Sequence, residues 1–170
     1  MDPVQFLRDI VEPNLADLRN DTTSLRKAFN VISAVDALAA HIHYWIEANR
    51  PDVLVAKDDT HYRQVLADKH IEFALLRDLA KANKHFKLTR SPRRPPLVSN
   101  STQNTTMKLG WGEMEWADIG ATINAPDGNV IVTDNSGKVR VVDAVVHWSL
   151  ELLRDEMRSV GLLRARNTHP

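Results

Sequence analysis

Three charged side chains in the middle of the sequence are spaced to share one face of a helix. Asp78, Lys81 and His85 span seven residues, which is nearly two helical turns. One interpretation makes His85 a general acid or base, oriented by Asp78 or by a partner chain. Arg77, Lys81 and Lys84 would then stabilise a phosphate, and the site would cleave RNA through the RNA's own 2′-hydroxyl without a metal. The alternative is a solvated face with ordinary intrahelical ion pairs.

A run of basic residues without an acid lies at the end of the same segment. Its members are Lys84, Lys87, Arg90, Arg93 and Arg94, with His85 among them. They form a candidate nucleic-acid-binding patch, because contacts with RNA or DNA depend on cations near phosphates. A helix dipole also favours cations in the last turn, which explains Lys84 and Lys87 without any ligand. Aromatic side chains for base stacking are sparse, since Phe86 is expected in the core.

Asp36 is an acid inside an otherwise apolar helical stretch, between Val35 and Ala37. If the helices that carry Asp36 and Arg77 are antiparallel, the two residues fall about one turn apart. We therefore predict a partly buried Asp36–Arg77 ion pair that fixes the register of the helices. Removing either partner would leave an uncompensated charge, at a cost of roughly 3–5 kcal/mol.

The sequence predicts no metal site and no small-molecule cofactor. His41 and His43 are two residues apart and diverge by about 200° on a helix, whereas a zinc-binding helix needs ligands at i and i+4. The chain has no cysteine, which excludes disulfides and thiolate ligands. It also has no phosphate loop, dinucleotide fingerprint or serine elbow.

Composition is that of an ordinary globular protein. Of the 170 residues, 43% are apolar and 26% are charged, and the formal net charge is zero, so any basic footprint must be local. No stretch approaches the ~20 apolar residues of a membrane span, and Asp2 stands where a signal peptide would be basic. We expect a single cytoplasmic domain over residues 1–170, with no membrane contact.

Apolar spacing predicts four helices, at about residues 3–20, 24–48, 61–88 and 143–161. Pro13 should kink or split the first helix, and the second should be central to the bundle. The last helix is expected to bury Trp148 together with Val145 and Leu153. Residues 91–106 are predicted to form a mobile surface loop.

After the loop, the period of the apolar residues changes to two, which predicts a β-meander at about 107–142. The predicted fold is therefore mainly α, a four-helix bundle with an inserted β-hairpin or meander before the last helix.

The segment from Phe73 to Leu88 resembles an uncharacterised bacterial protein family that carries an RD-(I/V/L)-A-x-A-x-KH run. In that family the run follows a helix like residues 31–46 and precedes a β-hairpin and a closing helix. The resemblance covers residues from about 30 to 153, and only this run is distinctive. It implies a fold and no activity.

A looser resemblance is to the HEPN superfamily of helical bundles, some of which are metal-independent ribonucleases. Those members have four to six residues between an Arg and a His, whereas seven residues lie between Arg77 and His85 here. The two positions would lie roughly 12 Å apart along a helix axis. The resemblance therefore implies a site composed of two copies across a dimer axis.

Two functions from different classes follow. The first is a small non-enzymatic helical interaction module that binds a protein partner or itself, with Asp36 and Arg77 structural. The second is a HEPN-like ribonuclease, a toxin or defence effector, that uses His85 with Arg77 and Asn83 on RNA. Exposure of Arg77 and His85 in a shared cleft distinguishes them.

Overall fold

The structure is a computed structural model that describes residues 1–85, 88, 95–107 and 128–164. Within these ranges the chain is mainly helical, and a small antiparallel sheet precedes the last helix. The predicted fold class is confirmed.

The N-terminal helical segment is interrupted just before Pro13. Helix α1 (Pro3–Phe6) is capped by Asp2, whose carboxylate accepts the N–H of Gln5 at 2.9 Å. A π turn (Leu7–Val11) leads into helix α2 (Glu12–Asn20). Pro13 has no N–H for the carbonyl four residues earlier, and the π turn adapts the backbone to this loss. The predicted interruption at Pro13 is confirmed.

Helix α3 (Leu25–Asn49) is the centre of the bundle. Ser24 caps it, and a stripe of buried aliphatic residues that includes Ile32, Val35 and Ile42 runs along it. It packs against the N-terminal helices and against all the later helices of the described chain. Its length and its continuous apolar stripe explain this central position.

The prediction of one helix at 61–88 is wrong. Helix α4 (Asp59–Lys69) and helix α5 (Ile71–His85) are separated by His70, whose backbone is extended. The His70 N–H still donates to Leu66, and its carbonyl accepts from Ala74, so the break leaves few backbone groups unpaired. Breaking at His70 lets α4 and α5 each pack on α3 in a different direction.

Strands β1 (Asn104–Met107), β2 (Asn129–Thr133) and β3 (Val139–Val141) form the sheet in that order. Residues 104–106 were predicted as part of the 91–106 loop, and this was wrong, because they pair with β2. The turn at Ser101–Gln103 also has a regular 3₁₀ conformation. Residues 108–127 of the predicted meander and residues 91–94 of the predicted loop lie outside the described residues.

The sheet is joined to the helices by hydrogen bonds as well as by packing. Val130 donates its N–H to the carbonyl of Thr22 at 2.8 Å, and the Thr22 hydroxyl donates to Gly128 at 2.7 Å. Helix α6 (Val142–Ser159) follows β3 directly and packs on α3 and α5. One apolar core extends through all these helices to Val130 and Val132 of the sheet. No helix in the described ranges is both long and apolar enough to span a bilayer.

Candidate functional site

Arg77 is a buried cross-link between α4 and α5. It is only 4% exposed, and its guanidinium donates to the side-chain oxygen of Gln64 and to the carbonyl of Thr60, the latter at 3.2 Å. Both acceptors belong to α4. Arg77 therefore holds the two helices together across the break at His70.

Asp78 is buried to the same degree and anchors a later part of the chain. Its carboxylate accepts the backbone N–H of Leu97 at 2.8 Å. Leu97 in turn accepts the N–H of Asn135, also at 2.8 Å, from the turn between β2 and β3. Asp78 thus ties the segment before β1, and through it the sheet, to α5.

His85 lies at the end of α5 and is exposed, as is Lys84. Arg77 is buried two turns earlier, about 12 Å along the helix axis, so the two side chains do not meet in a common cleft of the described chain. Asn83 is partly buried, and both polar atoms of its amide lack a hydrogen-bond partner within the described part of the chain. The three predicted catalytic residues are therefore not brought together in one copy.

The predicted basic patch is largely outside the described residues. Lys87, Arg90, Arg93 and Arg94 all fall there, and only Lys84 of the set is described.

Asp36 has a different partner from the one predicted. It is 5% exposed as expected, but its Oδ2 accepts from Nη1 of Arg63 at 2.7 Å, and Arg77 turns to α4. Arg63 also pairs with Asp59 one turn earlier in α4. The prediction failed because it treated α4 and α5 as one helix, which put Arg77 instead of Arg63 beside Asp36.

The paired histidines of α3 lie apart, as their spacing requires. His41 stacks on Phe6 with 4.1 Å between ring centroids, whereas His43 is buried against Tyr62 at 5.7 Å. Burial raises the pKa of Tyr62, and Glu156 accepts its hydroxyl proton in a hydrogen bond of 3.3 Å. In the described ranges, no three His, Asp or Glu side chains are grouped so that they could hold a metal ion.

A groove that the sequence did not reveal lies between the start of α5 and the middle of α6. It encloses about 670 Å³, and its apolar lining includes Phe73 and Leu152. Its polar lining consists of His70, Glu72, His147, Glu151 and Asp155. The groove exists because the chain breaks at His70, which sets the first turn of α5 beside α6.

Trp148 lines this groove and is 47% exposed, so the prediction that α6 buries it is wrong. Val145, Ser149 and Leu153 fill the inward face of α6, and Trp148 lies at the edge of that face. The ring of His147 meets the indole edge-on at 5.1 Å, and a large aromatic surface still faces solvent. The sequence signal available for this groove was a tryptophan with acids three and seven residues later, namely Trp148 with Glu151 and Asp155.

Comparisons of the chain with protein-family models, with curated proteins and with solved structures give no match.

Proposed function

We propose that the protein is a small non-enzymatic interaction module, and that it binds a protein partner through the groove between α5 and α6. The observation that carries the proposal is the exposure of Trp148 over a groove of about 670 Å³. Tryptophan is enriched among the residues that dominate binding energy at protein interfaces. Its two rotatable side-chain bonds also keep the entropy lost on binding low.

The placement of the Arg77-Asp78 pair supports a non-enzymatic role. Both side chains are 4% exposed and bind the protein's own backbone or side chains. A ribonuclease built on Arg77 and His85 would have to detach Arg77 from α4 before it could reach a phosphate. That step would leave Gln64 without its guanidinium partner and would loosen the α4–α5 connection.

The size and composition of the groove also suit a protein ligand. Its volume lies within the range of about 300–1,000 Å³ that is usual for small-molecule pockets, but it is an open trough with a mixed polar and apolar lining, which also admits a segment of a protein. Leu152 and the indole of Trp148 offer apolar surface, and carboxylates lie beside them. This combination of an aromatic anchor with a polar rim is typical of transient protein interfaces.

Site-specific photocrosslinking in the cells that make the protein tests the proposal. Benzoylphenylalanine is placed at Trp148 and, in a matched control, at Tyr44, which is 57% exposed on α3. We expect discrete adducts with one protein, or with a second copy of the chain, from position 148 alone. Equal adducts from both positions, or none from position 148, would contradict the proposal.

A further inference from the structure

We infer that the groove receives a basic segment, with an arginine or lysine side chain lying over the exposed face of Trp148. This inference rests on the protein-binding function proposed above and identifies the chemistry of the partner. It is carried by the charge of the groove together with the exposed indole.

The indole face attracts cations. Its π-electron cloud is negative, and tryptophan is the best of the aromatic side chains at binding an ammonium or guanidinium group within about 6 Å of the ring. The rings of His147 and Trp148 are in a T-shaped arrangement, and the Trp148 residue is still 47% exposed, so aromatic surface remains available. A planar guanidinium would stack on this surface.

The carboxylates around the groove favour the same kind of ligand. Glu72, Glu151 and Asp155 line it, and among the described residues no lysine or arginine does. Arg154 pairs with Glu151 and Arg158 pairs with Asp155 from outside the groove, so these two carboxylates are partly neutralised. Glu72 has no ion pair within the described chain and is therefore the carboxylate most available to a ligand cation.

The rest of the lining accommodates the aliphatic part of such a side chain. Lysine and arginine carry three or four methylene groups, which bury well against apolar surface while the charged end stays near water. Leu152, which is partly exposed, supplies that surface beside the carboxylates, whereas Phe73 is fully buried behind the groove. His70 and His147 are the other titratable groups of the groove, and the unprotonated ring nitrogen of an imidazole can accept a hydrogen bond from a ligand ammonium or guanidinium.

A panel of capped tripeptides tests the inference with purified full-length protein at constant pH. The peptides are tri-arginine, tri-lysine, tri-glutamate and tri-norleucine, and the readout is the NMR signal of the Trp148 indole N–H. Trp148→Phe identifies this signal among those of the four tryptophans. We expect the two basic peptides to shift it saturably, and added salt to weaken the effect.

Two charge-removing variants make the test specific. Glu72→Gln should weaken binding of the basic peptides about two- to fivefold, whereas Glu47→Gln, on an exposed part of α3, should leave it unchanged. Thermal melting of both variants checks that the fold is intact. Equal weakening by the two variants would indicate a general charge effect and would overturn the inference.

The outcomes separate the inference from the proposed function. If tri-norleucine or tri-glutamate binds at least as well as the basic peptides, the partner chemistry is wrong while a binding groove remains. If no peptide shifts the indole signal but photocrosslinking at position 148 captures a protein, the inference alone fails. If crosslinking at position 148 fails as well, the proposed function fails with it.

Discussion

Replacing Arg63 by alanine should leave a buried carboxylate without a cation. Asp36 is 5% exposed, and Arg63 is the donor to its Oδ2 at 2.7 Å. The other oxygen, Oδ1, has no hydrogen-bond partner among the residues that the structure describes. Asp36 in the Arg63→Ala variant would therefore lose its ion pair and the hydrogen bond that accompanies it.

The size of the destabilisation by Arg63→Ala follows from the exposure of Arg63 and Asp36. Breaking a fully buried pair by removing one partner costs about 3–5 kcal/mol. The Arg63 side chain is 19% exposed, so water reaches the vacated site and reduces the cost. We therefore expect the free energy of unfolding to fall by about 2–3 kcal/mol. For a chain of 170 residues this corresponds to a fall in Tm of roughly 5–10 °C.

Urea denaturation followed by circular dichroism measures this loss, with Arg8→Ala as the control. The Arg8 side chain is 68% exposed where it pairs with Asp9, so its removal should change the stability little. Adding Asp36→Asn to Arg63→Ala removes the stranded charge and should recover part of the lost stability. A cost for Arg63→Ala no larger than for Arg8→Ala, or no recovery in the double variant, would refute this reasoning.

Three further predictions concern other parts of the chain. Asp78→Ala removes the acceptor of the Leu97 N–H, so the free energy of unfolding should fall by about 1–3 kcal/mol. Amide hydrogen exchange should become faster across residues 95–107, and unchanged exchange would contradict the anchoring role of Asp78. Burial alone would raise the pKa of Asp134, but hydrogen bonds from Ser136, Arg140 and the Lys138 backbone prevail and lower it to about 2. Because this folded pKa is below the unfolded value of about 3.9, the ionised Asp134 stabilises the fold above about pH 3.9, and this contribution is lost as the pH falls towards 2. In acid titrations, the stability of the Asp134→Asn variant should therefore depend less on pH in this range than that of the wild type. Labelled RNA incubated with EDTA should remain intact with the wild-type protein and with His85→Ala, and cleavage by the wild type alone would favour the ribonuclease instead.

The helices that the sequence predicted well are those whose signals are local. Asp2 and Pro3 mark the first helix, Pro13 marks its interruption, and the apolar stripe of α3 has helical spacing throughout. Each of these signals depends on residues within a turn or two of one another, so no knowledge of tertiary packing was needed.

The break at His70 had no such signal, because neither glycine nor proline lies near it. It is stabilised by packing on α3 and by the Arg77 cross-link to Gln64 and Thr60, which are long-range effects. The wrong partner for Asp36 followed directly from missing this break. The groove was missed for the same reason, since it forms only where the new start of α5 meets α6.

Trp148 shows a further limit of periodicity. An apolar residue at the edge of a helix stripe is buried or exposed according to how closely the neighbouring helix approaches, and the sequence of one helix does not contain that distance. In α6 the inner positions are fully occupied by residues such as Val146 and Leu150, and the indole remains half outside.

The most direct test of the central claim compares the affinity of two variants for the protein captured from position 148. Truncating a tryptophan at the centre of an interface typically costs at least about 2 kcal/mol of binding energy, so calorimetry should show Trp148→Ala binding roughly 30-fold more weakly than wild type. Tyr44→Ala, which alters a comparably exposed aromatic side chain on α3, should bind as wild type does. If Trp148→Ala, with its fold verified by circular dichroism, binds as tightly as Tyr44→Ala, the groove between α5 and α6 is not the binding surface.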